Sequence, residues 1–347
     1  MNDNINRTEI ASLGEFKLIE HLTKNFELNN AASLKGIGDD AAVIDNANKL
    51  TVVTTDMLVE GVHFDMMYTP LQHLGYKCIA VNVSDILAMN AEPKQVTVSI
   101  AISNRFSVEA LEELYEGIYH ACNYYKVDLV GGDTTTSLKG LIISVTAIGE
   151  GIEDELSYRN GAKEEDLICV SGDLGGAFLG LQLLEREKKI FLENPEIQPD
   201  LENKKHIVGR FLKPEARKDI VEALKEKSII PTSMIDISDG LSSEIMHICK
   251  QSNCGAIIYE TEIPIHTESY EQALKFNMDP TVCAMNGGED YELLFTVNPK
   301  HAAAIAAMEN VSVIGKIVPA GNGIFLKTKN DNLFKIQAQG WDSFKSE

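Results

Sequence analysis

What this chain lacks narrows its chemistry before any motif is read. Only 7% of its 347 residues are aromatic, tryptophan occurs once, and no stretch approaches the ~18 uninterrupted apolar residues of a membrane span. The opening MNDNINRTEIASLGEF has neither the basic start nor the apolar run of a signal peptide, so the protein is expected to be soluble and cytoplasmic. Six cysteines (Cys78, Cys122, Cys169, Cys249, Cys254, Cys283) form no C-x-x-C pair and no zinc-type spacing with histidine, so neither metal nor redox chemistry is indicated through them. Buried free thiols in a reducing compartment are the expectation. There is no G-x-x-x-x-G-K-[ST] loop, no H-E-x-x-H, no G-x-S-x-G and no protein-kinase signature.

Positive charge is also scarce. Against 52 Asp and Glu there are 31 Lys and Arg, a formal net charge of −21. Such a balance disfavours coating nucleic acid or an anionic membrane. An enzyme this acidic that handles polyphosphates must neutralise carboxylate–phosphate repulsion locally, and divalent cations do so.

At 44% hydrophobic, with Val, Ile, Leu and Ala interleaved with Gly, the chain reads as an α/β (α+β) protein long enough for two cores. Periodicity predicts helices over 15–28, 72–90 and 108–125, and strands over 50–55, 95–102, 127–130 and 141–148. On this reading the first strand delivers Asp56 at its end, and Gly131-Gly132-Asp133 is a turn. A charged, Gly-bearing stretch over 149–165 marks a boundary near residue 152, giving domains 1–152 and 153–347. Beyond it the pattern predicts strands over 166–170, 234–237, 256–259 and 292–297, and helices from 176 to about 187 and over 216–227 and 241–251.

Five acidic motifs stand out: Gly36-Ile37-Gly38-Asp39-Asp40, Thr54-Thr55-Asp56, Asn82-Val83-Ser84-Asp85, Gly131-Gly132-Asp133-Thr134 and Asp236-Ile237-Ser238-Asp239-Gly240. All are read as turns or element ends. Each alone is equally a turn that glycine and aspartate make for its own sake. Five together favour hard oxygen ligands for Mg²⁺. Adjacent Asp39 and Asp40, with no cation within three residues after Lys35, would be costly in one dry site unless a metal joins them. The first motif also matches G-x-G-x-x-A, but it follows a polar stretch, and its carboxylates would face the pyrophosphate that a dinucleotide fold attracts. His63 in Glu60-Gly61-Val62-His63-Phe64 is either a hydrogen-bonded structural residue or, near Asp56, a contact to a substrate phosphate. Glu289-Asp290 after Gly287-Gly288 is either a capped turn or a carboxylate aimed into a cleft.

Taken in order, GIGDDAAVI, TTDMLVEGVHF, GYKCIAVNVSDILAMNAEP, VGGDTT, YRNGAK, IDISDGLSSE, NGGEDYELLFT and GWDSF resemble the thiamine-monophosphate kinases of the aminoimidazole-ribonucleotide-synthetase-like superfamily, from about residue 12 to 344. VEGVHF, GGEDYEL and the terminal Trp-Asp-x-Phe carry the resemblance most specifically. It implies a two-domain fold: an N-terminal α/β domain that dimerises through its sheet, a C-terminal α+β domain, and ATP in the cleft between them. It implies several Mg²⁺ ions on Asp40, Thr54, Thr55, Asp56, Asp85, Asp133, Asp236 and Asp239. Nucleotide contacts map to Gly132, Asp133, Arg159 and Ser238, and thiamine contacts to His63, Glu289 and Trp341. Asn90 stands where the family commonly has Gly, which Asn's tolerance of left-handed conformations accommodates. Ser171–Ala177 departs from the usual serine-bearing loop and is left out of the site.

The implied reaction is ATP-dependent phosphorylation of thiamine monophosphate to thiamine diphosphate, with both as small-molecule substrates. Phosphoryl transfer needs in-line positioning and charge neutralisation, so no covalent or general-base residue is expected. Sister synthetases are disfavoured because no cysteine precedes Cys78, the tail is Phe-Lys-Ser-Glu, and the purine-pathway synthetase lacks the GGEDYEL and Trp-Asp-x-Phe pairing. A non-catalytic metal- or nucleotide-binding homologue would show eroded motifs, and all five are intact.

Trp341 is either a hydrophobic latch or an aromatic face for the cationic thiazolium, a contact worth about 0.5–2 kcal/mol. On the second reading, Trp341→Ala weakens thiamine monophosphate binding more than ATP binding in parallel titrations. Equal losses, or loss of folding, identify a latch.

Overall fold

The structure is a computed structural model that describes residue 18 and residues 21–35, 43–47 and 49–337. Two compact units divide the chain: Met1–Ile86 with Ala91–Glu153, and Leu87–Asn90 with Asp154–Glu347.

The first unit opens with a short antiparallel pair, β1 (Ser33–Lys35) and β2 (Val43–Ile44). Its main sheet holds β3 (Leu50–Val59), β4 (Glu92–Ile102), β5 (Asp128–Thr136) and β6 (Ile142–Gly151) in the order β3-β6-β4-β5. Only β4 and β5 run parallel. Period-two alternation gives the sheet two different faces. Leu58, Val96, Val98, Ile100, Ile143, Val145 and Ala147 share the buried face through the strand registers. The opposite face carries Thr55, Thr97, Ser99, Ser144 and Thr146 beside Val53 and Met57, which are 61% and 55% exposed.

Helix α1 (Leu71–Ala88) lies against the buried face, with Ile86 beside Gly149. Helix α2 (Val108–Tyr125) starts where Ser107 Oγ accepts the Ala110 amide and stops at left-handed Lys126. Two glycines let the helices cross backbone to backbone. A Cβ on Gly75 would stand 1.9 Å from the Leu114 carbonyl oxygen, and one on Gly117 would stand 1.9 Å from that of Gln72.

The second unit is built on a seven-stranded mixed sheet. Its strands are β7 (Leu167–Ser171), β8 (Ser233–Asp236), β9 (Cys254–Tyr259), β10 (Leu293–Val297), β11 (Val311–Pro319), β12 (Ile324–Lys327) and β13 (Leu333–Lys335). They are ordered β13-β12-β9-β11-β7-β10-β8. The helices are α3 (Gly176–Glu193), α4 (Lys205–Leu212), α5 (Lys218–Glu226), α6 (Leu241–Ser252), α7 (Thr267–Lys275), α8 (Pro280–Asn286) and α9 (Ala302–Ala306). On α6, Leu241, Ile245, Ile248 and Cys249 recur at helical spacing and join Ile168, Val170, Ile235, Ala256 and Leu294 in one core. A second cluster, Leu179, Leu183, Ile207, Ala273 and Cys283, ties α3 to α4, α7 and α8.

Several sequence expectations are corrected. The helix expected over 15–28 has its last described helical residue at Thr23. Thr54-Thr55-Asp56 lies inside β3 rather than at its end, because β-branched and apolar residues continue the strand to Val59. Asn82–Asp85 lies within α1. Gly131-Gly132-Asp133 is strand, not turn: a Cβ on Gly132 would meet the Val98 carbonyl at 1.9 Å, so the glycine serves close strand approach. Helices α4, α7, α8 and α9 were not anticipated. Among the described residues, no helix is long and apolar enough to cross a membrane.

Gly117→Ala should destabilise the first unit by about 1–3 kcal/mol, since backbone on one helix must yield to a methyl on the other. Urea unfolding would show this as a shifted midpoint; an unchanged midpoint would mean that the helices separate freely.

Candidate active site

In the first unit, edge strand β3 and helix α1 assemble one cluster. Thr54 and Asp56 share the helix-covered face of β3, while Asn82 and Asp85, three residues apart, share one face of α1. Thr54 Oγ1 donates to Asp85 Oδ2 at 2.6 Å. Asn82 Oδ1 accepts the Asp56 amide at 3.0 Å, and Asn82 Nδ2 donates to the Cys78 carbonyl at 3.0 Å, which fixes the amide's orientation. Sequence reading named Asp85 and missed the role of Asn82, although it lies in the same motif. Thr55 occupies the opposite face, where its hydroxyl donates to the Val145 carbonyl at 2.9 Å. Its side chain does not join Thr54 and Asp56. Asp133 is in register with Ser99 on β5, the far edge of the sheet. His63 Nδ1 accepts the Val59 amide at 3.1 Å.

In the second unit two loops are laced together. Ile237 N donates to Glu292 O at 2.7 Å, Glu289 N to Ser238 O at 2.8 Å and Tyr291 N to Ile237 O at 2.9 Å. A Cβ on Gly288 would meet the Ser238 carbonyl at 2.4 Å, so glycine is required for this approach. Glu289 and Tyr291 both hold left-handed backbones, φ 68° and 53°, a conformation that non-glycine residues keep only where surrounding structure imposes it. The Tyr291 hydroxyl donates to Glu289 Oε1 at 3.2 Å.

Carboxylates gather on these loops. Glu244, in the first turn of α6, accepts the Asp239 amide at 3.2 Å. Burial first, then the nearby Asp236 charge, pushes its carboxyl up to about 8. Desolvation and then Glu289 raise that of Asp239, while His247 and Arg159 oppose the shift. Glu244 stands inside the quoted IDISDGLSSE, yet sequence reading passed over it because a glutamate in a first turn ordinarily serves the helix dipole. Arg159 sits on a loop anchored to the far end of α6: Ser252 Oγ accepts the amides of Gly161 and Ala162, both at 3.1 Å, and donates to Arg159 O at 3.3 Å.

The loop after β7 is already satisfied. Asp290 accepts the Gly175 amide at 2.7 Å and the Ala177 amide at 3.3 Å. Burial raises its carboxyl to about 7, although Arg210 and these two amides favour the ionised form.

Among the described residues, no group of three or more His, Cys, Asp or Glu side chains is arranged to hold a metal ion by itself. The donor chemistry nonetheless fits a hard cation: Thr54 with Asp85, and the crowded Asp236, Asp239 and Glu244, present only oxygen. Asp40 and Trp341 lie outside the described residues.

A raised carboxyl keeps its proton in the folded chain when the unfolded chain has lost it, so stability falls as pH rises from 4.5 to about 8. In cation-free protein, Glu244→Gln should make that fall shallower in urea titrations across the window. An unchanged slope would show that Glu244 is ionised throughout.

Comparison with known proteins gives two family matches. Residues 38–150 match the N-terminal domain of AIR synthase related proteins, and residues 163–327 match the C-terminal domain. The thiamine-monophosphate kinase of Buchnera aphidicola subsp. Schizaphis graminum is 37% identical, over 95% of this chain and 96% of its own. That of Aquifex aeolicus is 35% identical, over 96% and 99%. A solved structure of AaThiL complexed with AMPPCP and TMP has a TM-score of 0.73 and 32% identity, covering 96% of this chain and 98% of that one. The hydrogenase maturation protein HypE in complex with ATP, at 18% identity and a TM-score of 0.73, shares the fold.

Proposed function

The chain belongs to the AIR synthase related family and, within it, to the thiamine-monophosphate kinases; from that premise we propose that it transfers the γ-phosphoryl group of ATP to thiamine monophosphate. It is a phosphotransferase. The carboxylates Asp236, Asp239 and Glu289 on the laced segments, with Glu244 in the first turn of α6, carry the finer reading, because their mutual repulsion suits a site completed by cations and polyphosphate.

Asp40, Thr54, Asp56, Asp85, Asp133, Asp236 and Asp239 would hold Mg²⁺, with Thr55 contributing through its backbone. Bound there, Mg²⁺ supplies Lewis acidity and screens the repulsion between two phosphate groups. Gly132 offers backbone without a side chain to the nucleotide, Asp133 and Ser238 orient it, and Arg159 meets its negative charge. His63, together with Glu289 and Trp341, positions thiamine monophosphate. The acceptor phosphate oxygen forms its bond to the γ-phosphorus as the bond to the bridging oxygen breaks, and the electron pair leaves on ADP. The acceptor is largely ionised near neutral pH, so no side chain need remove a proton.

Domain 1–152 is assigned nucleotide and metal binding, and domain 153–347 completion of the site. The open sheet face with exposed Val53 and Met57 supports pairing with a second copy. Absence of disulfides among the described cysteines is in keeping with a cytoplasmic setting, and the net charge of −21 argues against nucleic-acid or membrane partners.

The test incubates protein, ATP, Mg²⁺ and thiamine monophosphate and follows thiamine diphosphate by chromatography. Asp236→Asn and Asp40→Asn should each lower turnover by roughly 10²–10³-fold, the scale of a lost electrostatic contact to the transition state. Product formation unaltered in both variants would remove the metal assignment; no product from folded, ATP-binding protein would remove the substrate.

A further inference from the structure

Cys249 and Cys254 match no sequence motif, yet the end of α6 brings them together. The helix closes at Asn253, whose backbone is left-handed (φ 51°, ψ 52°) and whose amide returns to the Cys249 carbonyl. That closure folds the residue after the cap over the last helical turn, a position ordinarily filled by an apolar contact. Here both positions are cysteine. Cys249 is buried in the core, and Cys254, half-buried at the start of β9, packs against the same cluster. The remaining described cysteines, Cys78, Cys122, Cys169 and Cys283, are all buried. Cys254 is therefore the thiol a solvent-borne oxidant reaches, and the cap sets Cys249 next to it in the same cluster.

We propose that Cys249 and Cys254 form a reversible thiol–disulfide switch, driven by an oxidant of the peroxide or disulfide class, that acts on the Arg159 loop through Ser252. The contact with Cys249 holds the Cys254 thiol below the ordinary cysteine range, which favours its thiolate. With peroxide, the Cys254 thiolate attacks one oxygen, the O–O bond breaks and hydroxide leaves, giving a sulfenic acid. The Cys249 sulfur then attacks that sulfur, the S–O bond breaks, and water leaves with the Cys249 proton. Two thiols are oxidised and peroxide is reduced to two waters; an external dithiol reverses the change.

The covalent bond is shorter than any thiol–thiol contact, so closing it draws the helix cap inward. Ser252 lies between the two cysteines and makes three hydrogen bonds to the loop of Arg159, Gly161 and Ala162. The displaced hydroxyl loses at least one of them, and the loop opens more often. The coupling to nucleotide binding rests on the role proposed for Arg159; the thiol chemistry does not.

The test treats the whole protein with hydrogen peroxide or oxidised glutathione, then maps peptides by mass spectrometry and measures tryptic cleavage after Arg159. A Cys249–Cys254 cross-link that dithiothreitol removes, with the other cysteines unmodified, is expected. In Cys249→Ser, a glutathione adduct should persist on Cys254; in Cys254→Ser, no adduct should form. Oxidised protein should be cut after Arg159 roughly three- to tenfold faster than reduced protein, as loss of one ordinary hydrogen bond allows, and Cys249→Ser should show no such change. A lasting glutathione adduct on the native protein, or equal modification of the buried cysteines, overturns the switch. A cross-link with unchanged cleavage overturns its coupling to the loop. Neither readout requires turnover, so failure here is distinguishable from failure of the kinase reading.

Discussion

The lacing of the Asp236–Gly240 segment to the Gly287–Glu292 segment is the constraint on which the second unit's chemistry depends. Three backbone hydrogen bonds hold the two stretches at a separation that leaves no room for a side chain at Gly288. Backbone atoms do the joining, so the acidic side chains on the two segments take no part in it. Tyr291 and Glu289 accept left-handed backbones as part of the same arrangement, at a cost of order 1–3 kcal/mol each that the surrounding sheet must offset. Leu293–Val297 and Ser233–Asp236 pair directly beyond the loops, so the loop geometry is an extension of sheet geometry.

Electrostatics then sets the tension. Glu244 and Asp239 are both held toward their neutral forms by burial and by one another's neighbours, with Arg159 the cation that opposes both shifts. At the end of the same laced segment, negative charge is matched: Glu292 meets Arg210 at 2.9 Å and Arg217 at 2.6 Å. The contrast is instructive, because the same fold pairs its acids with arginine where the interior must be dry and leaves them crowded where the loops end.

Legibility in the sequence followed the range of the physics involved. Helix α2 was delimited from periodicity alone, and strand β4 from its alternation, because both are set by local burial. Three motifs proved to lie inside elements rather than at turns or ends, while Asp236–Gly240 does sit at a strand end: Gly132 looks like a bend, and only the position of the Val98 carbonyl reveals that it admits a neighbouring strand. Thr54 and Thr55 are adjacent in sequence yet fall on opposite faces once the register with β6 is known. Asn82 and Glu244 were passed over since their partners, the Asp56 and Asp239 amides, are backbone atoms without a sequence signature. The family resemblance rested on ordered motifs and needed none of this geometry.

The glycine crossing of α1 and α2 has a consequence for how the first unit tolerates motion. A helix advances 1.5 Å per residue, so a slip of α1 by a single position would carry Leu74 or Tyr76 to the point where Gly75 meets the Leu114 carbonyl. Side chains of that size cannot enter a gap that excludes even a methyl. The crossing is thus a detent: α1 has one axial setting, and Asn82 and Asp85, which it carries to β3, inherit a position measured from a contact about two to three helical turns away.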